Sequence, residues 1–303
     1  MRIVYMGTPE FAVPSLDLLL AHGYDVVGVI TAPDKPGGRL GVIQSAVKQY
    51  ALARGLRVLQ PEKLRDPAFL AELSALQADL QVVVAFRMLP EAVWRMPPLG
   101  TLNLHGSLLP KYRGAAPINW AIIRGETETG VTTFLLRHEI DTGDVLFQDT
   151  LPIGENDTAG EVHDRMMQVG AELVLQTVQA IEQGRAQPRP QPDAEASHAP
   201  KLYTDTCRID FGHPAALVHN FIRGLSPHPG AWTQLDGKTL KILRSTPVVL
   251  PIAGIPPGEF FSDGKNELKI STLDGFVQVQ ELQLEGKRRM TVREFLNGYR
   301  IAQ

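Results

Sequence analysis

Short apolar runs alternating with helix-spaced segments constrain this chain more than any other feature. Arg2–Gly7 (RIVYMG) is an apolar run that ends in glycine. Thr8–Ala21 then sets Phe11, Val13, Leu16, Leu19 and Leu20 near helical spacing, and Val26–Thr31 (VVGVIT) returns to an unbroken apolar run. Runs without polar alternation are strands covered on both faces. Such strands are parallel, because a crossover helix must carry the chain back between them. Ser45–Arg54 repeats the helical spacing through Val47, Tyr50, Ala51 and Leu52, while Gln81–Phe86 and Gly100–Leu104 repeat the strand signal. Thr129–Leu136 adds a further, β-branched strand. Thr158–Gln183 predicts a long helix with Val162, Met166, Val169, Leu173 and Ala180 near one face. The expected fold is α/β: a Rossmann-like, mainly parallel sheet with helices on both faces and right-handed crossovers.

Gly184–Pro200 (GRAQPRPQPDAEASHAP) breaks the alternation with proline, alanine and charge. The expected division is a first domain over 1–189, a linker over 190–204 and a second domain over 205–303. Past the break the strand signals are short, at 240–245, 267–271 and 276–286, with helices expected at Ala215–Arg223 and Thr291–Leu296. That pattern predicts a small β-rich domain, built as a five-stranded barrel.

Charge excludes a strongly basic nucleic-acid binder, since the formal net charge is -3. The average hides an asymmetry: residues 1–200 carry 17 Lys and Arg against 23 Asp and Glu, and residues 201–303 carry 13 against 10. A phosphate-bearing partner is therefore placed more easily against the C-terminal part. Cys207 is the single cysteine, which rules out an intramolecular disulfide and a thiolate cluster. The MRIVYMG start carries no signal-peptide pattern, and no apolar run reaches the roughly 18 residues of a membrane span. A cytoplasmic protein without a membrane partner is expected.

Asn103 and His105 stand at alternate positions in NLHGSLLP (103–110), at the expected C-terminal edge of a strand. Strand geometry turns both to one side, where both can donate hydrogen bonds to one oxygen that gains negative charge. A carboxylate is needed to hold the imidazole tautomer, and EIDTGD offers Asp141 and Asp144. No Ser or Cys nucleophile is implied, because Ser107 lacks the G-x-S-x-G setting. The trio suits acyl transfer to an external amine. Metal chemistry is disfavoured, since His105, His138, Asp141 and Asp144 lack metal-ligand spacing. Gly7–Thr8–Pro9 is not G-x-G-x-x-G, so a dinucleotide site is disfavoured. Lys35 and Arg39 in TAPDKPGGRL, Arg113 in KYRGAAPINW, and Lys287, Arg288 and Arg289 are candidate contacts for an anionic partner, each with an ordinary solvated-turn alternative.

NLHGSLLPKYRGAAPINWAI (103–122) and HEIDTGD (138–144) closely resemble the folate-dependent formyltransferases. MGTPEFAVPSL (6–16) and TAPDKPGGR (31–39) extend the resemblance over essentially the whole chain. It implies transfer of a formyl group from the co-substrate 10-formyltetrahydrofolate to an amine, here the α-amine of initiator methionyl-tRNA. Asn103, His105 and Asp141 are then the catalytic residues, no metal takes part, and the chain acts as a monomer. The pterin is expected among Phe86, Arg87, Met88 and Leu89, with Ser107, Leu108, Leu109, Pro110 and Asp144 around it. Residues 34–44, with Arg39 foremost, fall to the tRNA acceptor end, and the second domain resembles an oligonucleotide-binding (OB-like) barrel. Two rivals remain: a related transferase acting on an amino-sugar nucleotide or small ribonucleotide amine, and a non-enzymatic RNA-binding protein.

Overall fold

The computed structural model describes residues 1–37, 41–251 and 254–301. In chain order the elements are β1 (Arg2–Gly7), α1 (Val13–Ala21), β2 (Asp25–Ile30), α2 (Ala46–Ala53), β3 (Val58–Leu59), α3 (Pro67–Ala75) and β4 (Leu80–Val84). There follow α4 (Glu91–Trp94), β5 (Thr101–His105), α5 (Pro117–Ile123), β6 (Glu128–Leu135), β7 (Val145–Pro152) and α6 (Ala159–Glu182). The C-terminal part adds α7 (Ala215–Leu225), β8 (Ala231–Leu235), β9 (Lys238–Val249), β10 (Phe260–Ser262), β11 (Leu268–Ser271), β12 (Gly275–Leu284), β13 (Met290–Thr291) and α8 (Val292–Gly298).

β1 to β7 make a seven-stranded sheet in the order β7-β6-β5-β4-β1-β2-β3. The pairs β1–β2, β1–β4, β4–β5 and β2–β3 are parallel, and β6 runs antiparallel to β5. The strand order reverses between β1 and β4, and crevices at the carboxyl ends of strands beside such a reversal are where open α/β sheets bind ligands. Burial explains why these strands were legible: all five residues of β4 are buried, as are five of the six in β1. Val4, Met6, Ile30 and Val83 pack with Phe69 and Leu73 of α3 and Val93 of α4 in one apolar cluster. Each such side chain contributes about 1.5–3 kcal/mol. Helix starts follow local chemistry. Ser45 caps α2 by accepting from the Lys48 amide at 3.1 Å, and Asp66 caps α3 ahead of Pro67.

β7 escapes the sequence reading. Its Gln148, Asp149 and Thr150 are exposed, as suits an edge strand, so it never presents a continuous apolar run.

The C-terminal strands form an antiparallel sheet in the order β8-β9-β12-β11-β10, with β13 paired to β12. Register shifts at Ile242/Arg244 and Arg244/Ser245 bulge β9. Its inward face accordingly changes phase, from Leu240 and Ile242 to Leu243 and Ser245. β12 changes phase with it, from Val277 and Val279 to Leu282 and Leu284. Bulges of this kind curl a sheet. Val218 and Ile222 of α7 and Phe295 of α8 fill the concave face.

The chain forms two compact units that interleave along the sequence. One comprises Met1–Arg113, Gly130–Leu151 and Asp164–His198; the other comprises Gly114–Thr129, Pro152–His163 and Ala199–Gln303. The second unit takes in residues 114–129 and 152–163 as well as the C-terminal part. Hydrogen bonding from α7 gives the reason. Asn119 donates to the Gly224 carbonyl at 2.8 Å, and Arg223 donates to the carbonyls of Gly154 and Asp157 at 3.2 and 3.1 Å. Two segments that precede residue 164 are thereby bound into the second unit. Among the described residues, no helix is long and apolar enough to cross a membrane.

Candidate active site

β5 delivers Asn103 and His105 to the carboxyl end of the sheet. In register, Val83 and Phe134 flank Asn103, while His105 lies opposite Thr132. Alternation along the strand puts both side chains on one face. The Asn103 side chain is half-buried and makes no hydrogen bond within the described residues, so its amide hydrogens are available to a ligand. His105 is 7% exposed.

The loop after β5 folds back on itself to meet the ring. Ser107 donates through Oγ to the Lys111 carbonyl at 2.6 Å, Leu109 N donates to Thr132 Oγ1 at 3.0 Å, and Thr132 Oγ1 donates to the Ser107 carbonyl at 2.6 Å. Gln148 Nε2 closes the loop onto the Leu109 carbonyl at 2.9 Å. This turn brings the Tyr112 carbonyl to 2.9 Å from His105 Nε2. A carbonyl only accepts, so Nε2 carries a hydrogen and Nδ1 is left facing the other way. The carboxylate was expected to fix the tautomer. The backbone of Tyr112 does so instead.

Asp141 approaches from the turn between β6 and β7, with Oδ2 at 3.8 Å from His105 Nδ1. That is beyond hydrogen-bond length but well within electrostatic reach, and both side chains are largely buried. Asp141 (φ 55) and Tyr112 (φ 60) both occupy the left-handed region, uncommon for residues other than glycine. The two groups that meet the imidazole are therefore held in backbone conformations that cost about 1–3 kcal/mol each and persist only under tertiary restraint. Gly143 is part of that restraint, because a Cβ there would lie 1.7 Å from the Leu135 carbonyl oxygen.

Asp144, the competing carboxylate, points elsewhere. Its Oδ2 pairs with Arg137, and its Oδ1 is buried without a hydrogen-bond partner. A buried acceptor left unpaired costs about 1–3 kcal/mol, so a bound N–H or O–H donor fits this position.

The remaining candidates divide. Phe86, Arg87 and Met88 continue past β4 as neither helix nor strand, with Met88 72% exposed. Arg87 reaches back to the carbonyls of Pro61 and Glu62, and Leu89 is buried in the apolar cluster. Leu108 packs beside Gly130, and Leu109 and Pro110 are buried. Hydrogen bonding thus ties Ser107 and Leu109 into the loop's own framework. Lys35 is exposed on a two-residue strand that pairs antiparallel with Val42 and Ile43; Arg39 lies outside the described residues. Arg113 is not a surface contact. It is 9% exposed, and its guanidinium is bound by Gln191 and Asp193. Arg288 and Arg289 are exposed but paired with Glu294 and Glu281, which weakens the positive field beside Lys287. Among the described residues, no group of three or more His, Cys, Asp or Glu is placed to hold a metal ion.

Two functional partners went unread in the sequence. Tyr112 acts through a carbonyl, which leaves no side-chain signature. Gln191 lies in the proline-rich stretch taken as linker, yet its Nε2 donates to the carbonyls of Asp141 and Gly143, both at 2.8 Å.

Residues 1–178 match the family described as Formyl transferase, and residues 201–300 match Formyl transferase, C-terminal domain. The chain belongs to the formyltransferase family. Over 311 residues this formyltransferase is 55% identical to the Methionyl-tRNA formyltransferase of Parabacteroides distasonis, covering 99% of this chain and 96% of that protein. Over 312 residues it is 53% identical to that of Bacteroides fragilis, covering 100% and 96%. Among solved structures, it is similar to an N-formyltransferase from Helicobacter canadensis in complex with folinic acid and dTDP-3-aminofucose, with TM-score 0.70 at 22% identity over 96% of this chain and 100% of that one. HypX from Aquifex aeolicus in complex with tetrahydrofolic acid gives TM-score 0.68 at 21% identity, covering 100% of this chain and 48% of that one. At such identities these two likenesses concern the fold. The chain is an enzyme that transfers a formyl group.

Proposed function

We propose that this formyltransferase moves the formyl group of 10-formyltetrahydrofolate to the α-amine of initiator methionyl-tRNA, with Asn103, His105 and Asp141 as its catalytic residues. The reaction rests on one observation: His105 Nδ1 stands 3.8 Å from Asp141 Oδ2, with the Asn103 amide on the same strand face. The acceptor rests on end-to-end likeness to the Parabacteroides distasonis protein, which takes in the C-terminal domain as well.

The residues fit a pterin-bearing co-substrate. Asp144 Oδ1 is a buried acceptor in need of a donor, and the irregular segment 86–88 past the carboxyl end of β4 offers backbone groups to a ring edge. In the reaction the unprotonated amine attacks the formyl carbon, a new C–N bond forms, and the bond to the folate nitrogen breaks. The Asn103 amide and an Nδ1–H of His105 donate to the formyl oxygen as it gains charge. Each such donor is worth about 2.7–4 kcal/mol. The Asp141 carboxylate balances the imidazolium. One proton leaves the attacking nitrogen and one arrives on the departing nitrogen, with His105 and Asp141 as the titratable pair beside both.

Residues 1–189 then carry the chemistry, and 205–303 the contacts to tRNA. Lys35, Arg39, Lys287, Arg288 and Arg289 meet phosphates, and the enzyme acts in the cytoplasm as a monomer. Purified protein incubated with 10-formyltetrahydrofolate should formylate methionyl initiator tRNA. Product formed only on an amino-sugar nucleotide or glycinamide ribonucleotide would refute the acceptor, and undiminished transfer by His105→Ala would refute the mechanism.

A further inference from the structure

Both supports of the His105–Asp141 pair hang from one short segment, residues 189–197. On one side, Tyr112, whose carbonyl holds His105, is fixed through its own amide to Ser197 Oγ at 2.9 Å. On the other, Val145 and Arg189 exchange backbone hydrogen bonds at 2.8 and 2.9 Å, and two residues later Gln191 clasps the turn that carries Asp141. The Gln191 carboxamide is fully committed. Both hydrogens of Nε2 go to the carbonyls of Asp141 and Gly143, and Oε1 accepts from Arg113 Nε at 3.1 Å and Nη2 at 2.8 Å. Its orientation is unambiguous, because carbonyls only accept and a guanidinium only donates. Arg113 is itself anchored by its amide to the Ser197 carbonyl at 2.9 Å and by Nη2 to Asp193 Oδ1 at 2.9 Å.

We propose that Gln191, oriented by Arg113, is the positioning residue for Asp141: it clamps the left-handed turn so that the carboxylate stays opposite His105 Nδ1. The proposal rests on the role given to Asp141 above. It accounts for how a residue at φ 55 is held in place, and it assigns the buried Arg113 a task inside the catalytic unit. The chain of guanidinium, amide and carbonyl also polarises in one direction, which strengthens each bond in it.

Gln191→Glu tests this, since it keeps the shape and the Arg113 contact but sets an oxygen against two carbonyls. Transfer by this variant should lose on the order of 10–100-fold in kcat, with KM for both substrates within about threefold, as expected for a misplaced catalytic group. Amide hydrogen exchange over 137–144 should rise while the strands keep their protection. Because Gln191 acts through Asp141, the double variant Gln191→Glu/Asp141→Asn should be no slower than Asp141→Asn alone. Gln191→Ala, which removes the donors without adding charge, should give the same pattern if the Glu variant folds poorly. Additive losses, a change confined to KM, or wild-type kcat would overturn the proposal. Should the wild-type enzyme fail to formylate methionyl-tRNA, the assigned acceptor fails; hydrogen exchange over 137–144 then decides the clamp by itself, and wild-type protection in both variants overturns it.

Discussion

Asp141→Asn isolates the charge that the proposed chemistry needs. Asparagine has the same shape and tolerates the left-handed backbone at φ 55, and the backbone carbonyl bound by Gln191 is untouched. An alanine here would confound charge with strain. At the 3.8 Å separation, two unit charges in an effective dielectric of ~20 attract by about 4 kcal/mol. The side chains are 7% and 12% exposed, so screening removes only part of this. Halving it leaves about 2 kcal/mol, and the expected fall in kcat spans about 30- to 1,000-fold. The loss belongs in kcat, because the imidazolium charge is balanced as the oxyanion forms and not when substrates bind. Steady-state formylation of methionyl-tRNA, with each substrate varied in turn, separates the two parameters, and a melting curve checks the fold. A kcat within threefold of wild type, at unchanged melting temperature, would show that the carboxylate does not stabilise the reacting state.

Asn103→Ala removes an amide with no hydrogen-bond partner among the described residues, so stability should hold while kcat falls about 100- to 1,000-fold; single-turnover formylation reads this directly. His219 is buried, accepting from Ser245 Oγ at 3.1 Å and donating to the Glu155 carbonyl at 3.1 Å, and burial holds its pKa below the ordinary histidine value. The unfolded chain therefore takes up the proton first. The stability contributed is complete above the ordinary value of 6.5 and declines as pH falls below it, so His219→Gln should flatten the dependence of melting temperature on pH in that window. At α8, Thr291 Oγ1 accepts from the Glu294 amide at 3.3 Å and Glu294 answers to the Thr291 amide at 2.9 Å. Thr291→Ala should cost about 1 kcal/mol by denaturant titration. The Thr291 amide first, and Arg288 second, hold the Glu294 carboxyl at about 2, so this cap's contribution is present above its ordinary 4.5 and fades as pH drops toward about 2.

Local pattern determined a good deal. β1, β2 and β4 were legible because strands buried on both faces are mostly apolar, and α6 because one of its faces is buried. Asn103 and His105 were legible because an amide and an imidazole at alternate positions, alternating with Leu102 and Leu104, are not called for by packing. Spacing in the sequence favoured Asp141 without excluding Asp144. Tertiary structure separated them, through a turn held by Gln191 from 50 residues away and an arginine that draws Asp144 aside. It also made Arg113 an internal strut, since the groups that bury it lie 78 and 80 residues further on. Periodicity records what each element buries against its neighbours. Partners joined by hydrogen bonds across such distances are set by topology alone, and topology leaves no mark on the residues beside them.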